Sequence, residues 1–197
     1  MRILVLQPHA DDAVWSIAEH MLTWLEDGHQ VEVFTTHGGK VPGQEAKHTT
    51  LRKEHRSVMQ KMGCEDFYCQ SFFDDAWDER PAASAWAGEV ADLIFEQTSK
   101  PDVLVGPVGA HHPDHQVIAW VTHALERRWL TYAWWYEELP YYVLYPADRK
   151  PLGRRVELQG HNDHFTEKKE LCRMYRSQWA PHLERTVFAP ERLWVPT

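Results

Sequence analysis

The chain has 197 residues, and 29 acidic against 21 basic side chains give it a formal charge of −8; with no Lys/Arg block, nucleic acid and anionic membrane are poor candidate partners. Its length suits one domain whose core needs no staple, and no apolar run approaches the roughly 18 residues of a membrane span. No N-terminal stretch combines a basic flank, an apolar core and a small-residue cleavage site, and the three cysteines Cys64, Cys69 and Cys172 include no Cys-x-x-Cys pair, so a soluble, cytoplasmic protein in a reducing compartment is expected.

Apolar runs rich in Val, Ile and Leu alternate with longer segments at helical period, the pattern of βαβ units around a parallel sheet. The first strand is expected at residues 2 to 6. A helix from Ala13 to Glu26 follows, with Val14, Ile17, Ala18, Met21, Leu22 and Leu25 along one face before Gly28 stops it. Val31 to Thr35 is the second strand and leads into the loop Thr36-His37-Gly38-Gly39. The charged stretch Gln44 to Met62 reads as a helix ended by Gly63, and Asp66 to Cys69 as the third strand. Pro81 opens a helix to about Gln97, Val103-Leu104-Val105 forms the fourth strand, and Pro113 opens a helix through Val117, Val121 and Leu125. Beyond it, Tyr132–Tyr136 and Tyr141–Tyr145 are read as strands and Asp163–Tyr175 as the last helix. The tail from about 179 to 197, with three prolines and little periodicity, is expected to be an irregular surface arm on a single domain spanning 1–197.

Two clusters carry the chemistry. Pro8-His9-Ala10-Asp11-Asp12 directly follows the first strand, and Gly109-Ala110-His111-His112-Pro113-Asp114-His115 follows the fourth. Open α/β sheets place their active sites at such carboxyl ends. Histidine and carboxylate are the usual donors for a catalytic zinc or a related divalent metal. His9, Asp12 and His115 can supply three ligands and leave positions open, which is the catalytic rather than the structural arrangement. Asp11 is then a spare carboxylate able to take a proton from cation-activated water. His112, with Asp114 two residues on, suits an acid or an oxyanion stabiliser oriented by that carboxylate.

Each feature also has a plainer explanation. Asp11, Asp12 and Asp114 could cap helices; His111, His161 and His164 suit solvated positions, and the cysteines suit small buried hydrophobes. Trp77, Trp86, Trp129, Trp134 and Trp135 suit core filling or a subunit contact, which leaves a homo-oligomer open. The acidic loop Asp74-Asp75 and Asp78-Glu79 suits plain solvation, or reception of a cationic amine. Two clusters after two strands, in this order, decide for a metal site.

At these residues the chain resembles the PIG-L/LmbE family of zinc-dependent N-deacetylases. The resemblance rests on Pro8-His9-Ala10-Asp11-Asp12 and His112-Pro113-Asp114-His115, and continues through Arg52 and Glu54 before Met62-Gly63, then Lys168 and Tyr175-Arg176-Ser177-Gln178. It implies a Rossmann-like, mostly parallel sheet flanked by helices on both faces, a three-layer α/β/α single domain. It further implies Zn2+ or another divalent metal on His9, Asp12 and His115, with Asp11 as base and His112 oriented by Asp114. The implied reaction removes an acetyl group from an N-acetylated amino sugar or related small-molecule N-acetyl conjugate, with His37, Arg52 and Lys168 as candidate substrate contacts. A hydrolase of a different amide would use the same residues, and a non-catalytic metal- or ligand-binding module is the rival from another class. Asp11 speaks against that rival, since a structural metal has no use for a free carboxylate beside it. A nicotinamide enzyme is remote because the first turn lacks Gly-x-Gly-x-x-Gly.

Overall fold

The computed structural model describes residues 1–39, 43, 45–69, 83–109, 111–144, 154–158 and 163–197. The first two thirds of the chain form β1 (Arg2–Gln7), α1 (Asp12–Glu26), β2 (Gln30–Thr35), α2 (Glu45–Met62), β3 (Glu65–Tyr68), α3 (Ala83–Gln97), β4 (Val103–Pro107), α4 (Pro113–Trp129) and β5 (Tyr132–Tyr136). Gly28 and Gly63, at φ +79° and +82°, supply the left-handed turns that end α1 and α2.

Every residue of β4, and every residue of β1 from Ile3 on, is buried, as central strands covered on both faces must be. Side-chain alternation divides the core. Ile3 and Val5 pack on one face with Val14, Ile17 and Met21 of α1 and Val58 and Met59 of α2. Leu4 and Leu6 pack on the other with Val90 and Ile94 of α3 and Val117, Val121 and Leu125 of α4. Each fully buried side chain of this size contributes about 1.5–3 kcal/mol relative to exposure, so the two apolar faces of β1 fix both helical layers on the sheet.

With β6 (Arg154–Leu158) and β7 (Glu191–Val195), the described residues form a sheet of seven strands in the order β3-β2-β1-β4-β5-β7-β6. β1 lies parallel to both β2 and β4, with Val5 opposite Val33 on one side and Val105 on the other. The chain therefore winds outward from β1 to β3 and then returns to build on the opposite side of β1. Such a reversal leaves a crevice at the carboxyl ends of the two strands where it occurs, and both motif loops open into it.

Past β5 the structure departs from expectation. Tyr141–Leu144 forms the short helix α5 rather than a strand, its turn closed by Tyr142 N–H donating to the Glu138 carbonyl at 2.7 Å and Leu144 N–H to that of Pro140 at 3.2 Å. The position beside β5 is already filled. The tail, expected as an irregular arm, contains a helical turn at Pro181–Leu183, the short helix α7 (Glu184–Val187) and the strand β7 (Glu191–Val195). β7 runs antiparallel between β5 and β6 (Arg154–Leu158), pairing Trp194 with Trp135 and Leu193 with Val156. Its five residues lie between Pro190 and Pro196, a span too short to display a period. The last long helix, α6 (Asp163–Met174), adds Leu171 and Cys172 to the first core face. Trp86, Trp129 and Trp135 are buried and Trp134 packs on the core. Lys40, Trp77, Pro81, Tyr145, His161 and the Asp74–Glu79 loop lie outside the described residues. Among those described, no helix is long and apolar enough to cross a membrane.

Candidate active site

The loop after β1 is held from both sides. Gln7 Oε1 accepts the Ala13 N–H at 2.9 Å, and Tyr175 Oη donates to the Ala10 carbonyl at 2.8 Å. Tyr175 is itself held by His55, whose Nδ1 lies 2.9 Å from Oη and whose Nε2 lies 3.1 Å from Asp66 Oδ1. Asp11 occupies the N-cap position of α1 but makes no side-chain capping bond, and its carboxylate lines a cleft with His9, Asp12 and His112.

Around Asp12 the two motif loops meet. Asp12 Oδ2 accepts the His9 N–H at 2.8 Å and lies 3.2 Å from His9 Nδ1, while Oδ1 lies 3.5 Å from His115 Nε2. Each histidine is backed by a second carboxylate. His9 Nε2 lies 3.0 Å from Asp114 Oδ2, and His115 Nδ1 lies 3.4 Å from Glu138 Oε1, which also accepts the Gly109 N–H at 2.7 Å. One donor atom each from His9, Asp12 and His115 falls within 4.8 Å of the others, and a second such group joins His9, His112 and Asp114. His115 is fully buried, and neither ring nitrogen has a hydrogen-bond partner among the described residues. A buried imidazole aimed at a carboxylate and another imidazole, with a further carboxylate behind it, fits a zinc or other first-row divalent cation.

The electrostatics follow from the crowding. Burial would raise the Asp12 carboxyl, but the charges of His115 and His9 and the bonds from His9 outweigh it and hold it at about 2. Burial likewise opposes ionisation of Asp114, yet hydrogen bonds from His37 and His9 hold it well below the usual carboxylate range. His112 moves the other way: burial first, then the neighbouring charges of His9 and His115, lower it, with Asp114 and Asp12 pulling upward.

The structure thus assembles His9, Asp11, Asp12, His112, Asp114 and His115 at one crevice, while altering one relation. His112 was expected to be oriented by the Asp114 carboxylate. Its Nδ1 instead accepts the Asp114 backbone N–H at 3.2 Å, capping α4, and lies 4.0 Å from the carboxylate. That carboxylate is turned toward His9 and, at 3.3 Å, His37 Nε2.

None of the three expected substrate contacts lines the cleft. His37 is buried behind Asp114, its ring edge-on to Trp86 at 4.9 Å. Arg52 lies over the Tyr68 ring at 5.0 Å. Lys168 is fully buried in an ion pair, its Nζ 2.8 Å from Glu191 Oε1. Outside the cleft, His111 is exposed, and His164 pairs with Glu26 at 3.1 Å. Burial pushes the thiols of Cys64 and Cys172 up to about 12, which removes them as nucleophiles. The cleft, of 420 Å³, is lined beyond the motifs by Trp15, Lys47, Leu51, Tyr141, Leu144 and Gln178. Sequence reasoning missed Glu138, although its place just after β5, at the same carboxyl edge, was the available signal.

The family model for PIG-L, GlcNAc-PI de-N-acetylase, matches residues 4–125. No curated protein sequence matches the chain. Among solved structures, a deacetylase of the teicoplanin biosynthesis pathway, in a complex designated bog, is 21% identical with a TM-score of 0.83 and 98% and 97% of the two chains covered. The zinc-inhibited form of the teicoplanin deacetylase Orf2 is 18% identical, with a TM-score of 0.78 over 98% and 97%. The N,N'-diacetylchitobiose deacetylase of Pyrococcus horikoshii is 16% identical, with a TM-score of 0.64 over 93% of this chain and 73% of that one.

Proposed function

The chain belongs to the PIG-L family, whose model covers residues 4–125, and on that footing we propose that it is a metal-dependent N-deacetylase acting on an N-acetylated amino sugar or a related conjugate. The observation that carries the reading is Asp11: a carboxylate not spent on capping its helix, lining the cleft beside three converging donors. His9, Asp12 and His115 would hold the metal, zinc being the first candidate for this donor set. When bound, the cation supplies Lewis-acid polarisation of the amide carbonyl and lowers the pKa of water.

The protein's own residues do the rest. Asp11 takes the proton of the attacking water and returns it to the departing nitrogen, so that the C–N bond breaks to acetate and a free amine. Because His112 Nδ1 accepts the Asp114 N–H, the ring carries its hydrogen on Nε2, and that donor can stabilise negative charge gathering on the carbonyl oxygen. Asp114 and Glu138 hold the rings of His9 and His115 in place. The amino-sugar substrate is supported by the P. horikoshii relative, a diacetylchitobiose deacetylase of the same fold.

The test is acetate release from a panel of N-acetylated sugars and sugar conjugates. Metal-stripped protein is compared with protein loaded with one equivalent of zinc, cobalt, manganese or ferrous iron. Release from one panel member, dependent on metal, supports the assignment. Tight metal binding without acetate from any member overturns the deacetylase reading.

A further inference from the structure

The cleft is larger than its chemistry needs. An acetamide occupies only a small part of 420 Å³, a volume in the range of small-molecule sites, so the remainder receives the part of the substrate that leaves as the amine. Among the described residues, the walls of that remainder are apolar or neutral, formed by Trp15, Leu51, Pro140, Tyr141, Leu144 and Leu183 together with Gln178. Lys47 is the exception.

Lys47 lies four residues before Leu51, on the same face of α2, and is the one Lys or Arg among the described residues lining the cleft. Several cations elsewhere are committed, Arg2 to Glu32, Lys61 to Glu170, Lys168 to Glu191 and Arg173 to Glu184, and what sets Lys47 apart from the unpaired ones is its place in the cleft wall. The acids nearest to it on α2 are also engaged, Glu45 accepting the Gly43 N–H at 3.1 Å and Glu54 the Ser177 hydroxyl at 2.6 Å. Lys47 has no ion-pair or hydrogen-bond partner among the described residues. In a chain of net charge −8, an uncommitted ammonium at the mouth of a site built from carboxylates is an anion donor site facing the substrate.

We propose that Lys47 reads an anionic group, carboxylate or phosphate, on the amine-bearing part of the substrate, so that the substrate class is an acidic N-acetyl conjugate. The proposal rests on the deacetylase reading for the identity of the amine, and its test is a binding measurement that needs no turnover. The probes are glucosamine, glucosamine 6-phosphate and muramic acid, titrated calorimetrically into the metal-loaded full chain. Wild-type protein is expected to bind at least one of the two acidic amines about tenfold more tightly than glucosamine, the scale of one charge-assisted hydrogen bond. The preferred acid tells phosphate from carboxylate. Lys47→Ala brings the ratio close to one and Lys47→Arg restores most of it. Lys53→Ala, which removes an equal charge from α2 outside this cleft, keeps it, and so separates a local contact from anion binding at the metal or a general field.

Equal wild-type affinity for acidic and neutral amines, an acidic preference that survives in Lys47→Ala, or no binding of either acidic amine at millimolar concentration overturns the inference. A Lys47-dependent ratio in protein that releases no acetate leaves it standing while the deacetylase reading falls. Acetate release with a ratio indifferent to Lys47 does the reverse.

Discussion

Replacing Lys168 by methionine tests whether this lysine serves the substrate or the fold. Helix α1 is broken at Ile17, where φ −142° and ψ 27° are not helical, and the break releases the N–H groups of Glu19 and His20 from the helical ladder. Glu191, at the start of β7, receives them at 2.9 and 3.1 Å, and its carboxylate also contacts His20 Nδ1 at 2.8 Å. Lys168 Nζ, 2.8 Å from the same carboxylate, neutralises it in a site where both side chains are fully buried. Removing one partner of a buried pair costs about 3–5 kcal/mol. Because Glu191 would keep two N–H groups and His20, the loss belongs at the lower end, about 3 kcal/mol, or roughly 6–12 °C in Tm for a chain of this size. Lys168→Met should therefore shift urea and thermal midpoints by that amount while KM for a verified substrate stays within about twofold. Adding Glu191→Gln to it should return part of the loss, since the uncompensated charge is then gone. A variant of unchanged stability with a KM raised tenfold would place the ammonium on the substrate and refute the structural assignment.

Three further outcomes are expected. Burial, then the charge of Glu191, raises the Glu19 carboxyl to about 7 from 4.5, against the opposing pull of Lys168 and His164. The folded state then holds a proton that the unfolded chain releases near 4.5, so this group's contribution is intact below that pH and is lost as pH rises through about 7. Glu19→Gln should remove that slope and be about 1–2 kcal/mol more stable than wild type at pH 8, the gap closing toward pH 4 in denaturant titrations. Asp11→Asn should keep its metal, measured by elemental analysis, and lose about a hundred- to ten-thousandfold in kcat; full activity on a verified substrate would remove Asp11 as the base. Glu138→Gln should weaken metal binding about 10- to 100-fold in a competing-chelator titration, and an unchanged affinity would mean that Glu138 does not act through His115.

Legibility of the sequence follows the range over which its signals operate. β1 and β4 could be read because a strand covered on both faces is apolar throughout, and Ile3-Leu4-Val5-Leu6 and Val103-Leu104-Val105 are continuous runs. Once those strands are central, chain connectivity sends the residues just after them to one crevice, so the convergence of His9 and Asp12 with His115 needed no knowledge of side-chain packing. Lys168 and His37 were misjudged for the opposite reason. Whether a polar side chain faces substrate or interior depends on its partner, and Glu191 stands 23 residues from Lys168 while Asp114 stands 77 from His37. No local pattern encodes either pairing. β7 was missed because five residues between two prolines are too few to show a period, yet that strand carries the carboxylate that caps the broken α1. α1 in turn begins with Asp12, a proposed metal ligand, so a segment that resembled a loose arm contributes to holding the candidate site's end of the fold in place.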